Sequence, residues 1–178
     1  MNLDFYNKIV KSNASTNCRN SLKKLVLNDS HLLVDLIQIT TSLSDKSHFK
    51  GVWITEMIAE THVELLAPFK ENLIPFFSKC KHPSAVRGTS RIAYFLGVSE
   101  KIKLTENESE KIIETCLDWL IGDAKVAPKV YAMYTLCHFA QKEAWIAAEL
   151  QNIIEKDFAT QSAGYKAAAR ETLRKISH

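Results

Sequence analysis

The sequence contains few of the residues that interrupt helices. Only five of its 178 residues are glycine and four are proline, whereas the two together make up roughly 12% of an average protein. Sandwiches and barrels need many tight turns rich in these residues, so the scarcity argues against them. Long hydrophobic runs are also absent, since the longest wholly apolar stretch, Ile92 to Val98, is far below the length of about 18 residues that spans a bilayer. The composition therefore predicts a soluble, mostly helical protein with no membrane segment.

Charge of one sign is not concentrated in any part of the chain. The formal net charge is +3 at pH 7, and basic and acidic residues are mixed in every quarter of the sequence. The pI is about 8.6, whereas a nucleic-acid-binding domain usually has a clustered basic patch and a higher pI. Nucleic acid is therefore only weakly supported as a partner.

The four cysteines occur singly, without the Cys-x-x-Cys spacing of a structural zinc site. The neighbouring Cys and His residues, Cys80 with His82 and Cys137 with His138, do not supply a paired set of ligands. We therefore expect no metal site, and free thiols in a reducing compartment. The first ten residues lack the long hydrophobic region of a secretory signal, so the expected location is the cytoplasm.

Apolar residues recur at helical spacing along nearly the whole chain, and no β-hairpin pattern occurs. The sequence is therefore assigned to the all-α class, as a single domain over residues 1–178. The predicted helices cover approximately 2–12, 17–28, a segment after Ser30, 45–61, Pro68–Cys80, 82–97, 105–122, 126–141, 143–157 and 160–177.

Local signals refine two of these helices. Thr105 and Glu108 have the spacing of a capping box, in which each side chain bonds the backbone amide of the other residue. This pair predicts the start of the seventh helix, and Gly122 predicts its end. Pro75 lies inside the fifth predicted helix and indicates a kink or a break into two short pieces.

The fourth predicted helix has a core side and a solvated side. Glu56 and Glu60 are four residues apart and are interpreted as part of the solvated face. The core positions that helical spacing predicts are Phe49, Val52, Trp53 and Met57, with Ile54 as a further candidate.

A short pattern recurs at the start of every second helix from the fourth onward. It consists of a bulky apolar residue, a mostly basic residue, and then Gly or Ala. The copies are Phe49-Lys50-Gly51, Val86-Arg87-Gly88, Val130-Tyr131-Ala132 and Tyr165-Lys166-Ala167. Their first residues are separated by 37, 44 and 35 positions, close to the period of two-helix repeats. Every second helix is therefore predicted to be the inner helix of a repeat, with the small residue permitting close helix packing.

The Val-Arg start followed by small residues resembles the second helix of HEAT and armadillo repeats, over roughly residues 30–178. This resemblance implies an α-α superhelix, a solenoid of about five helix pairs whose inner helices line a concave face.

Two segments are more narrowly similar to a family of short HEAT-like chains from Bacteroidetes, some of which carry the label adenylosuccinate lyase. These segments run from Ser109 to Tyr131 and from Gln161 to Arg170. Lyases of the fumarase and aspartase superfamily carry a Gly-Ser-Ser-x-Met-Pro-x-Lys-x-Asn loop. The nearest string here, Gly88 to Arg91, lacks the Met, Pro, Lys and Asn, so the resemblance implies a fold and we do not expect lyase activity.

Basic residues of the inner helices form the main candidate site. If the first turns of these helices align, their cations form a ladder on the concave face, because residues four apart share one side of a helix. The ladder either grips an acidic peptide or phosphates, or it ties the repeats together through acidic residues of the preceding turns, Asp45, Asp123 and Asp157. This basic ladder comprises Lys50, Arg87, Arg91, Lys129, Lys166, Arg170 and Arg174.

Trp119 and Asp123 support an alternative function. HEAT-like DNA glycosylases of the alkylpurine class use a Trp and an Asp in a basic cleft, together with an Arg. The resemblance would give those roles to Trp119 and Asp123, with Arg87 or Lys129 as the cation. Gly122 is expected to end the helix between them, which would place Asp123 in a turn and Trp119 in the core.

Other catalytic patterns are missing from the sequence, including a Gly-x-Ser-x-Gly elbow and a glycine-rich phosphate loop. We therefore expect a non-catalytic protein-binding or scaffolding module that uses the concave face and holds no cofactor. The expected partner is another protein or an acidic peptide.

Overall fold

The computed structural model describes residues 1–177, and every regular element in that range is helical. The all-α prediction is therefore confirmed. A 3-10 helix covers Val63–Phe69. The α-helices in this range are α1 (Leu3–Lys11), α2 (Thr16–Asn28), α3 (His31–Thr41), α4 (His48–His62), α5 (Lys70–Lys79), α6 (Pro83–Val98), α7 (Glu106–Ile121), α8 (Val126–Ala140), α9 (Ala144–Asp157) and α10 (Ala163–Ile176).

The chain divides into two compact units, one from Met1 to Lys103 and one from Leu104 onward. In the first unit α3 packs on α4, α5 packs on α6, and α4 contacts both α2 and α6. In the second unit α7 packs on α8, while α8 contacts both α9 and α10. Within each unit the even-numbered helices thus contact one another, as predicted for inner helices. The assignment of the whole chain to a single domain stays a prediction.

The ends of α7 are set by the local signals in the sequence. Thr105 Oγ1 accepts a hydrogen bond from the Glu108 amide at 3.2 Å, and Glu108 Oε2 accepts one from the Thr105 amide at 2.8 Å. At the other end the Gly122 amide donates to the Asp118 carbonyl at 3.0 Å. The predicted capping box and the predicted stop are both confirmed.

The fifth predicted helix is divided at a different place from the one expected. Pro68 lies inside the 3-10 helix, and α5 begins at Lys70 and continues through Pro75 to its end. The prediction of a break at Pro75 is therefore wrong, and the alternative of a kink there stays a prediction. Proline has no amide hydrogen, so Pro75 cannot donate the α-helical hydrogen bond to the carbonyl of Glu71. This missing hydrogen bond lies in the first turn of α5. The helix tolerates that loss and ends four residues later, at Lys79.

Small residues lie buried on the inner helices. Gly51, Gly88 and Ala132 are buried on α4, α6 and α8, in agreement with the repeat pattern. The fourth copy is out of register, because Ala167 is exposed and the next residue, Ala168, is the buried one. The sequence pattern therefore identified the right helix but placed its packed face one residue too early.

Gly88→Ala should destabilise the protein, because the contact between α4 and α6 has no room for a methyl group. A Cβ at position 88 would lie 2.8 Å from Val52 Cγ1 and 2.9 Å from Glu56 Oε2. Overpacking of roughly 1–3 kcal/mol exceeds the gain in helix propensity of roughly 1 kcal/mol, so we expect a net loss of about 1 kcal/mol in the free energy of unfolding in urea.

Gly164→Ala is the matched control for this substitution. A Cβ at position 164, in the first turn of α10, would meet Val126 Cγ1 at 3.4 Å, an ordinary van der Waals distance. This variant should be neutral, or more stable by up to about 1 kcal/mol. Equal effects at the two glycines would contradict the close packing at Gly88.

His82 caps the start of α6 through a neutral ring nitrogen. Its Nδ1 accepts a hydrogen bond from the Ser84 amide at 3.2 Å. Its ring stacks on Phe49 with 4.3 Å between centroids, and the His48 ring lies 5.4 Å away. Burial, and after it the charge of His48, lowers the pKa of His82. A protonated Nδ1 cannot accept the capping bond, so the cap requires the neutral imidazole.

This cap should make stability depend on pH. Because the pKa of His82 is lower in the folded protein than in the unfolded chain, the unfolded state takes up the proton first. The contribution of His82 to the free energy of unfolding is therefore complete above about pH 6.5. It is lost as the pH falls toward the folded-state pKa of His82. His82→Asn keeps a capping acceptor but cannot titrate. Its urea midpoint should therefore fall less than that of the wild type between about pH 7.5 and about pH 5.5. An identical pH dependence in both proteins would rule out the cap as the cause.

Candidate functional site

A buried carboxylate lies between α4 and α6. Glu56 is 1% exposed, and its Oε1 accepts a hydrogen bond from Arg91 Nη1 at 2.6 Å. Arg91 Nη2 donates to Glu60 Oε1 at 2.8 Å. Arg87 Nη2 lies 3.4 Å from the same Glu56 Oε1. We refer to Glu56, Glu60, Arg87 and Arg91 as the Glu56 cluster.

The prediction that Glu56 belongs to a solvated face is wrong. The side chain turns toward α6 at Gly88, where the missing Cβ leaves space for Glu56 Oε2. That oxygen is buried and has no hydrogen-bond partner in residues 1–177. Arg91 therefore supplies the shortest compensating contact for a buried charge. Glu60 is 49% exposed, as expected for the solvated side.

Two lysines of the basic ladder, Lys50 and Lys166, donate to backbone carbonyls within their own unit. Lys50 Nζ donates to two backbone carbonyls at the C-terminal end of α1, one of them at 2.8 Å. Lys166 Nζ donates to the Ala159 carbonyl, just after α9, at 3.0 Å. Lys129 is 7% exposed. Lysines are well suited to the carbonyls that helix ends leave unpaired, so these contacts stabilise the fold locally.

The partners of the basic ladder differ from those that the sequence suggested. Asp45 accepts a hydrogen bond from the Ser47 amide at 2.7 Å. In the part of the chain that the structure describes, no ion pair joins the ladder to Asp45, Asp123 or Asp157. Arg170 and Arg174 on α10 are exposed, with Arg170 lying 5.2 Å from the centre of the Phe158 ring.

The partly exposed side of α4 carries aromatic and apolar residues. Phe49, Trp53 and Met57 recur every four residues and are each half-buried, which corrects the expectation that they lie in the core. The Trp53 indole nitrogen donates to the Ser84 carbonyl at 3.3 Å, which places the ring at the start of α6. One turn further along α6, Arg87 is 51% exposed. We refer to Phe49, Trp53 and Met57 as the α4 stripe.

The two residues of the alternative enzyme site have different surroundings. Trp119 lies in α7 and is 8% exposed. Asp123 is exposed in the turn that follows Gly122, where α7 has ended. The placement of Trp119 in the core and of Asp123 in a turn agrees with the expectation from Gly122.

The cysteines are free, and three of the four are buried. Burial raises the pKa of the Cys116 thiol to about 12, so this group is protonated at neutral pH. Among residues 1–177, no group of three or more His, Cys, Asp or Glu side chains is arranged to hold a metal ion.

The Glu56 cluster should behave as a buried ion pair in a double-mutant cycle. Arg91→Met should lower the free energy of unfolding by about 3 kcal/mol, because Glu56 then stays buried without its closest partner. Adding Glu56→Gln should recover part of that loss, since an amide is easier to bury than a charge. Urea denaturation of the wild type, both single variants and the double variant gives the coupling energy.

Arg87→Gln is the control for this cycle. Because Arg87 is 51% exposed and 3.4 Å from Glu56, its substitution should change the free energy of unfolding by less than about 1 kcal/mol. Strictly additive effects of Arg91→Met and Glu56→Gln would show that the two side chains are not coupled.

Comparison with known proteins agrees with this helical architecture. Within residues 1–177, no helix combines the length and the apolar character needed to cross a membrane. No curated protein matches the chain. A family model described as a HEAT repeat domain matches residues 6–176, which include nearly all of the helices given above. The chain is therefore a helical-repeat scaffold that belongs to the HEAT repeat domain family.

Proposed function

We propose that this HEAT repeat chain is a non-catalytic protein-binding module, and that the α4 stripe together with Arg87 forms its contact surface. The observation that carries the proposal is the half-exposed row of Phe49, Trp53 and Met57 beside an arginine that is 51% exposed. Aromatic residues, methionine and arginine are enriched in protein interfaces, and tryptophan and arginine are frequent hot spots.

The exposed Arg87 of the Glu56 cluster favours a partner with a carboxylate. Arg91 holds Glu56 at 2.6 Å, whereas Arg87 lies 3.4 Å from the same oxygen. Arg87 can therefore turn to an acidic group of a partner while Glu56 keeps its closer contact. The partner segment would place an apolar side chain on Trp53 and a carboxylate on Arg87. In this proposal Lys50, Arg91 and Lys166 of the basic ladder stabilise the fold.

The cytoplasm is the proposed location. The four free thiols are consistent with a reducing compartment. Extracts for the binding experiment should therefore be prepared under reducing conditions.

Affinity capture with the tagged protein, followed by mass spectrometry, tests the proposed surface. The wild type should retain at least one protein from an extract of its source organism. Arg87→Gln and Trp53→Ala should each retain about tenfold less of that protein, because each removes a hot-spot side chain. The thermal transition of Arg87→Gln should stay close to that of the wild type.

Lys79→Gln is the matched control, since it removes the same charge from an exposed position on α5 in the same unit. It should retain the partner as the wild type does. The proposal fails if no protein is retained above the level of an untagged control. It also fails if Arg87→Gln and Trp53→Ala retain the same proteins as Lys79→Gln.

A further inference from the structure

A groove in the second unit opens between α7 and the turn that joins α8 to α9. Its volume is about 520 Å³, within the range of roughly 300–1,000 Å³ that is usual for ligand sites. Ile113 and Phe139 line it and are 3% and 7% exposed. The groove therefore has an apolar base within reach of a ligand.

The rim of this groove is strongly acidic. Four glutamates and one lysine line it, which gives the lining a net charge of −3. Glu106, Glu110 and Glu114 are exposed and lie at four-residue intervals on α7, and none of them has a hydrogen bond or ion pair in the described part of the chain. Like charges at this spacing destabilise a helix. A bound cation would relieve that repulsion.

An exposed tryptophan faces the same groove. Trp145 lines it and is 53% exposed, and its indole nitrogen donates to Glu143 Oε2 at 2.7 Å. The bond restrains the ring and directs a carboxylate of the rim toward it. An aromatic face next to carboxylates is a combination that attracts arginine and lysine side chains, through cation-π and charge-assisted contacts.

We propose that this groove binds an extended basic segment of a partner protein. Successive glutamates on α7 are about 6 Å apart along the helix axis. In an extended chain, residues that point to the same side are about 6.6 Å apart. Arginines or lysines at alternate positions therefore match Glu106, Glu110 and Glu114, with one cation lying over Trp145. This surface goes beyond the α4 stripe, because it lies in the other unit and selects the opposite charge.

Fluorescence anisotropy with a labelled peptide that alternates arginine with serine tests the groove, at about 0.15 M salt so that weak long-range attraction is screened. The wild type should bind this peptide several times more tightly than one of the same composition with its arginines contiguous. Glu110→Gln should weaken binding about tenfold, through the loss of a charge-assisted contact, and Trp145→Ala about fivefold, through the loss of the cation-π contact.

Glu149→Gln is the matched control, because it removes the same charge from an exposed position on α9 outside the groove lining. It should bind the peptide as the wild type does. Arg87→Gln should also leave this affinity unchanged, so the result on the groove is independent of the result on the α4 stripe. Circular dichroism should show unchanged helix content in both groove variants.

Three outcomes would overturn the proposal. One is equal affinity of the wild type, Glu110→Gln and Trp145→Ala for the alternating peptide. Another is equal affinity of the wild type for the alternating and contiguous peptides. The third is displacement of the peptide by an equal concentration of spermidine, which would mean that the groove takes a free polyamine and not a polypeptide.

Discussion

The buried charge of Glu56 constrains how α4 and α6 pack against each other in the first unit. A carboxylate that is 1% exposed requires a counter-charge at close range, because few water molecules can solvate it. Arg91 meets this requirement from α6 at 2.6 Å. The two helices must lie close enough for that contact, and Gly88 permits the approach because a Cβ there would meet both Val52 and Glu56. Glycine at this position lowers helix propensity but makes the ion pair possible.

This ion pair also separates the roles of two arginines that lie one turn apart. Arg91 is 18% exposed and bridges Glu56 and Glu60, so its guanidinium is held within the protein. Arg87 is 51% exposed and makes the longer contact with Glu56. Of these two arginines on the same helix, Arg91 therefore holds α4 and α6 together, whereas Arg87 remains available to a partner. Lys50 and Lys166 belong to the first group, since both donate to backbone carbonyls.

The sequence was informative where the physical cause is local. The capping box at Thr105 and the stop at Gly122 depend on residues within one or two turns of each other, and both were predicted. The inner helices were identified by a different signal, the recurrence of apolar and small residues at intervals of 35 to 44 positions. Helix type could not be predicted around Pro68, because a 3-10 turn and an α-helical first turn tolerate proline equally well.

The candidate sites depend on pairings that a single sequence does not reveal. Glu56 and Arg91 are 35 residues apart, so nothing in the helical pattern of α4 distinguishes Glu56 from an exposed glutamate. Phe49, Trp53 and Met57 have core spacing but remain half-buried. Trp145 was not singled out, because its importance comes from Glu143 and from the glutamates of α7. A signal was nevertheless present in α7, where three glutamates repeat every four residues.

The two proposed surfaces differ in what a ligand must displace. A carboxylate that binds Arg87 competes with Glu56, which already lies 3.4 Å from that guanidinium, so the apolar contact with the α4 stripe has to supply much of the affinity. In the groove of the second unit four glutamates outnumber one lysine, and a cation that enters removes repulsion among Glu106, Glu110 and Glu114. Electrostatic attraction is therefore the larger driving force there. Because exposed charges are screened by salt, binding at the groove should weaken with ionic strength more steeply than binding at the α4 stripe.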